Sequence, residues 1–152
     1  MTSASPPEAF LHLVVGYDGS PPARRALEAA IVLLHSRTGR IDIVYVAHLP
    51  GAGVEPPVAY PEMDPGYVQI EQELRAQAAE QLRDHGAAWG FQRRLGSAAH
   101  ELSAVATGIR DANPDEFVVI VVGRSSSAIH RVAGSVAVGL GRHPPLPLLI
   151  VP

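Results

Sequence analysis

Phe117-Val118-Val119-Ile120-Val121-Val122 is an unbroken apolar run that stops at Gly123. A run this short, with no polar position and a glycine at its end, reads as a strand buried within a sheet. Further strands are read at Phe10 to Val15, mostly apolar and stopping at Gly16, at the β-branched Ile41 to Ala47, at the short Phe91 to Leu95, and at the largely apolar Leu146 to Val151. Between them the period changes to that of a helix. Ala26, Leu27, Ala30, Ile31 and Leu34 share one face behind a Ser20 N-cap and Pro21, where the missing N–H is harmless. Asp64-Pro65 opens a helix to about His85 with Ile70, Leu74, Ala78 and Leu82 in a row. Ser97 opens another, with Leu102, Val105, Ala106 and Ile109 on one face, that breaks at Asn113-Pro114. Ser135 to Arg142 reads as a short helix weakened by glycine. Strands alternating with helices imply parallel pairing, right-handed crossovers and helices on both faces of the sheet: an α/β fold.

The connections carry their own signals. His48 to Met63 holds Pro50, Pro56, Pro57 and Pro61 and reads as a long loop. Gln92, Arg93 and Arg94 suggest that Phe91 to Leu95 lies at a sheet edge. Residues 1–9 read as a loose extension and 10–152 as a single domain, a size that suits one buried core. The longest apolar runs are far too short to cross a bilayer, and the first residues lack the pattern of a signal peptide, so a cytoplasmic location and no membrane partner are expected.

Residue types narrow the chemistry further. The chain has no cysteine, which removes thiolate catalysis and Cys-based metal sites. Its 12 cationic residues are all arginine, which removes a Schiff-base lysine and the lysine of a phosphate-binding P-loop. With a formal net charge of −3, it does not invite nucleic acid. The charge is uneven, however. From Phe117 to Pro152 there is no Asp or Glu, and Arg124, Arg131 and Arg142 are joined by His130 and His143.

This basic quarter contains the chain's clearest candidate site. Gly123-Arg124-Ser125-Ser126-Ser127 follows a buried strand, and Gly134-Ser135 enters the next helix. Glycines let a backbone approach an anion, serines add donors, and a helix start favours negative charge. An ordinary strand–loop–helix connection would use the same residues, and both readings stay open. Asp18, at the mouth of the first strand, is in the same position. It can meet a ribose hydroxyl or, through water, Mg²⁺, or it can form an Asx turn or helix cap before Ser20. In a parallel sheet, ligands bind beyond the carboxyl ends of the strands where their order reverses. If the first and fourth strands are neighbours, the two loops share that crevice.

Other signatures are missing from the sequence: G-x-x-x-x-G-K-[ST], a G-x-G-x-x-G after the first strand, and G-x-S-x-G. The seven histidines show no metal-ligand spacing and read as solvated or structural, with His130 set apart by its place in the cradle. Arg24-Arg25 and Arg93-Arg94 read as solvated edges.

Taken in order, Val14-Val15-Gly16-Tyr17-Asp18-Gly19-Ser20, Ala26-Leu27, Ile43-Val44-Tyr45-Val46, Asp115 to Gly123, Gly134-Ser135-Val136 and His143 to Val151 resemble a single-domain universal stress protein from Leu11 to Pro152. The resemblance implies a five-stranded parallel sheet in the order 3-2-1-4-5, a Rossmann-type three-layer sandwich like that of the adenine nucleotide alpha hydrolases. It also implies a homodimer through the last strand, Leu146 to Val151, and stress-response signalling to an unknown protein partner instead of enzymatic catalysis. ATP-binding members carry G-x-x-G-x₉-G-[ST] after strand four. Gly123, Gly134 and Ser135 match its ends, Asp18 matches the acidic residue near ribose and phosphates, and Val46 matches the strand-two position whose backbone meets adenine. With their neighbours Gly16, Tyr17, Arg124, Ser125, Ser126 and Val136, these form the implied site for ATP or AMP, with Mg²⁺ held indirectly by Asp18.

The sequence departs from that motif at two points. The second glycine falls on Ser126, and 10 residues separate Gly123 from Gly134 where the motif has twelve. Either change can remove phosphate binding, while Arg124, His130 and Arg131 supply compensating charge. The alternative is a nucleotide-free dimeric interaction protein whose Ser125 to Ser127 loop binds a partner or accepts a phosphate. A hydrolase or transferase using Asp18 as base lacks a nucleophile–base pair.

Overall fold

A computed structural model describes residues 8–47, 65–124, 139–140 and 146–152. The strands are β1 (Leu11–Gly16), β2 (Gly39–Ala47), β3 (Ala88–Leu95), β4 (Phe117–Gly123) and β5 (Leu148–Val151), and the helices are α1 (Pro21–Leu34), α2 (Pro65–Leu82) and α3 (Ala98–Ala112). They form one sheet in the order β3-β2-β1-β4-β5, with every pairing parallel. The expected topology is therefore present. The loop over His48 to Met63, the Asp64 cap, the residues from Ser125 to Val136 and most of the fourth expected helix lie outside the described residues.

Alternation along the strands separates two cores. Leu11, Leu13, Val15, Ile41, Ile43 and Val121 face α1 and α2, while Val14, Val44, Val118, Ile120 and Val122 face α3 and Leu140. Helices thus cover both faces. Leu13, Leu27, Ile41, Ile43 and Ile120 are almost wholly enclosed, and each such side chain contributes about 1.5–3 kcal/mol from burial.

Several boundaries differ from expectation for identifiable reasons. β3 begins at Ala88 and pairs with β2 over its full length; Gly90, a poor strand former, hid its first half from view. A Cβ at Gly90 would come within 2.8 Å of Arg40 Nη2, so the glycine makes room for that guanidinium. β5 begins two residues later than Leu146, because Pro147 has no N–H for the ladder, although its carbonyl still accepts from Ile120 N at 2.9 Å. α2 ends at Leu82, and its row of core residues starts at Leu74; Ile70, one turn earlier, is exposed. Phe117 is also exposed, at 53%, because β5 begins alongside β4 only at Ile120.

Near the amino ends of the central strands, a polar group interrupts the apolar interior. His12 is only 7% exposed and lies between two carboxylates, bonding Asp42 through Nε2 and meeting Glu116 Oε2 at 3.0 Å through Nδ1. Arg40 completes the group by donating to both oxygens of Asp42, at 3.1 and 2.9 Å. Burial pushes the His12 imidazole down, but hydrogen bonds to both acids and their charges outweigh it and leave the net shift upward. Asp42 shifts the other way: burial raises it, and the bonds and charges of His12 and Arg40 bring it below its ordinary value.

Candidate functional site

β1 lies between β2 and β4, so chain order reverses there and the β1 and β4 mouths are adjacent. The strand adjacency on which the expected crevice depends is thus present, while the β4-side loop beyond Arg124 lies outside the described residues. On the β1 side, Gly16 ends the strand, and a Cβ there would meet Leu102 Cδ1 of α3 at 3.1 Å. Tyr17 follows, buried in the core, and its backbone N–H donates to Val44 O at 2.9 Å. Asp18 then stands exposed at the mouth, with Oδ1 accepting the Ser20 backbone N–H at 3.0 Å. This is an Asx turn, so the capping role is present, and the carboxylate nevertheless faces solvent.

Gly19 completes the turn with φ of 76°, a left-handed conformation that suits glycine. Ser20 caps α1 as its sequence predicted, with Oγ accepting from Ala23 N at 3.4 Å and Pro21 in the first turn.

On the β4 side, Gly123 and Arg124 are described. A Cβ on Gly123 would fall 2.1 Å from the Pro22 carbonyl oxygen, so the end of β4 lies directly against the first turn of α1. This glycine is required by packing, whatever occupies the crevice. Arg124 is exposed, and its backbone N–H donates to Val151 O at 2.7 Å, tying the start of its loop to the end of β5. Val46 is half-buried near the carboxyl end of β2, opposite Arg94 of β3. Gly16, Tyr17, Asp18, Val46, Gly123 and Arg124 thus gather at one end of the sheet. Ser125, Ser126, Gly134, Ser135 and Val136 are outside the described residues.

Sequence reasoning missed the groups that brace this end. Arg24 is exposed, as the sequence predicts, and its Nε also donates to Gly19 O at 3.1 Å and its Nη2 to Gln77 Oε1 at 3.0 Å. Gln81 accepts from the Tyr17 hydroxyl at 3.0 Å and donates to Arg24 O at 3.2 Å. The i, i+4 spacing of Gln77 and Gln81, beside Leu74 and Ala78, was the available clue: it puts both amides on the inward edge of α2. Arg25 is likewise exposed and donates to Pro152 O at 2.9 Å.

Arg93 departs from its expected solvated edge. Its side chain is only 13% exposed, with Nε 3.3 Å from Glu71 Oε2 and the guanidinium 5.8 Å from the centre of the Tyr67 ring. Electrostatics link this group to the mouth. Burial raises the Tyr45 phenol, the charges of Tyr67 and Asp18 add to the rise, and Arg93 opposes it. Tyr17 is raised by burial in the same way, with Arg24 opposing and Asp18 adding.

Among the described residues no group of three or more His, Asp or Glu could hold a metal ion directly, and no helix is long and apolar enough to cross a membrane.

The universal stress protein family model matches residues 9–152. No curated protein matches the sequence significantly. A protein of that family from Burkholderia pseudomallei is similar at 24% identity and a TM-score of 0.62, over 93% of this chain and 95% of that one. A universal stress protein solved in complex with cAMP is 21% identical, with a TM-score of 0.63 over 95% of this chain and 98% of that one. The Archaeoglobus fulgidus protein in complex with dAMP is 18% identical, with a TM-score of 0.57 and the same coverages, 95% and 98%. At these identities the likeness is one of fold.

Proposed function

Because the chain belongs to the universal stress protein family, we propose that it is a stress-response module that binds an adenine nucleotide, ATP or AMP, in the crevice between the β1 and β4 mouths. One observation carries the reading: β1 and β4 are adjacent, so an exposed Asp18 and the Gly123-Arg124 exit open onto the same switch point. Similar proteins form complexes with cAMP and with dAMP, both adenine nucleotides. The residues fit such a ligand chemically. An exposed carboxylate can accept from ribose hydroxyls, and the β4 exit is followed by no acid through Pro152, which favours phosphate. Asp18 alone suits Mg²⁺ only through water.

The module works by binding and is not an enzyme; it signals to a protein partner as a homodimer through β5, in the cytoplasm. Calorimetry with ATP and AMP, with and without Mg²⁺, tests the reading: saturable heat is expected, and weaker binding in Asp18→Ala and Gly134→Val. No heat with either nucleotide would remove it.

The second reading, a nucleotide-free interaction protein of the same fold, is supported by the contact between Gly123 and Pro22 and by the Asx turn of Asp18. Each accounts for a candidate ligand residue by packing or turn formation alone. Mass spectrometry of small molecules released from the purified protein separates the two, since bound adenine nucleotide counts against the second.

A further inference from the structure

We propose that α2 sets the conformation of the Asp18 loop through a strap made by Arg24, Gln77 and Gln81, and thereby regulates the nucleotide site; the regulated ligand rests on the reading above. The loop is held by contacts from outside itself. A Cβ on Gly19 would lie 2.7 Å from Leu74 Cδ2 and 3.1 Å from Gln77 Oε1, so the turn is pressed against α2 at its most constrained residue. Arg24 bridges the two, donating to the Gly19 carbonyl with Nε and to Gln77 with Nη2. One helical turn further on, Gln81 joins Tyr17, just before Asp18, to the Arg24 carbonyl on α1.

Residues on both sides of Asp18 are therefore referenced to α2, whereas the Asx bond from Ser20 holds the carboxylate only relative to its own turn. The same helix is fastened at its outer side to edge strand β3, through Arg75 Nη2 to Phe91 O at 3.2 Å and Glu71 to Arg93 at 3.3 Å. A displacement of α2 or β3 must then either carry the Gly19 turn with it or break the strap. Arg24, Gln77 and Gln81 are positioning residues: they act on Asp18 through the turn.

The test compares the full chain with Gln77→Ala/Gln81→Ala and with Gln77→Glu, whose carboxylate still accepts from Arg24. Amide hydrogen exchange at Gly19 and Ser20, calorimetric affinity for AMP, and the thermal midpoint are measured for each. The double variant is expected to exchange faster at Ser20 and to bind AMP about tenfold more weakly, as loss of an oriented charge-assisted contact implies. Its thermal midpoint should also fall, because Gln81→Ala leaves the hydroxyl of the buried Tyr17 without its partner, so Ser20 exchange and the comparison with Gln77→Glu carry the test and the midpoint does not. Gln77→Glu should match the wild type in exchange and affinity.

Unchanged Ser20 exchange in the double variant would overturn the proposal, as would AMP affinity that falls equally in Gln77→Glu. A wild type that binds neither AMP nor ATP removes the nucleotide reading and the regulated ligand with it. Exchange then decides the strap separately: acceleration upholds it and no change removes it.

Discussion

Nδ1 of His12 lies 3.0 Å from Oε2 of Glu116, joining β1 to the entry of β4 across 104 positions in the chain. The opposite ring nitrogen bonds Asp42 of β2, so one imidazole ties the three central strands together through two acids. This arrangement makes stability depend on pH. His12 is raised above its ordinary 6.5, so its contribution is complete below that value and is lost as pH rises through the higher folded value. Asp42 is held below its ordinary 3.8, so its contribution is present above that value and is lost as pH falls through the lower folded one. Denaturant unfolding followed from pH 4 to 9 should show wild-type stability declining on the alkaline side. His12→Gln should flatten that decline and cost about 1–3 kcal/mol near pH 6, since it takes the cation from the half-buried Glu116 and leaves Asp42 to Arg40 alone. A His12→Gln profile with the wild-type slope would show that the titration belongs to another group.

Gly123 and Gly86 form a natural pair for testing packing against flexibility. A side-chain carbon at Gly123 would meet the Pro22 carbonyl at 2.1 Å, while one at Gly86 meets nothing within 4 Å. Gly123→Ala is expected to lose about 2–4 kcal/mol, because backbone on both sides must move. Gly86→Ala should be neutral or gain up to about 1 kcal/mol from a less flexible unfolded chain. Urea midpoints measure both, and equal midpoints would contradict the close approach.

Asp18 can be divided into its turn-forming and charge-bearing roles. Asp18→Asn keeps an oxygen able to accept the Ser20 N–H, so its thermal midpoint should match the wild type, but it removes the charge that suits a hydrated Mg²⁺ ion. Asp18→Ala removes both and should cost about 1 kcal/mol as well. Under the nucleotide reading, the Mg²⁺-dependent part of ATP binding disappears in both variants; its survival in Asp18→Asn would leave the carboxylate a turn former only.

The proposed dimer can be tested at Ile150. This residue is 41% exposed on β5, an edge strand that pairs on one side with β4. An apolar edge invites pairing with its own copy. Ile150→Glu is expected to give a monomer in light scattering at concentrations where the wild type is dimeric. A monomeric wild type at micromolar concentration would contradict the dimer itself.

Much of this architecture was readable from local pattern. Apolar runs closed by Gly16 and Gly123 marked the central strands, and Ser20-Pro21 marked the start of α1, because backbone and burial rules act on neighbouring residues. Features that depend on distant residues were hidden. Nothing near His12 in sequence announces Asp42 or Glu116, and the half-exposed first residues of β3 gave no alternation to read. Phe117 appeared continuous with a buried run, and only the late start of β5 leaves it uncovered. At the candidate site the glycines and Asp18 were visible as residue types, but their local duties were not. The Asx turn, the contact of Gly123 with Pro22 and the strap from α2 all require knowing which helix lies alongside which loop.

The contact between Gly123 and Pro22 bears on how a lineage of such chains would diverge. A descendant that abandons its ligand is released from keeping phosphate-directed amides, yet it still cannot place a larger residue where β4 meets α1. The glycine would outlast the activity it is usually taken to mark. Within a set of related sequences, the informative position is therefore the one that Ser126 occupies, since retention of the first glycine records the fold's geometry and says nothing of what the crevice once held.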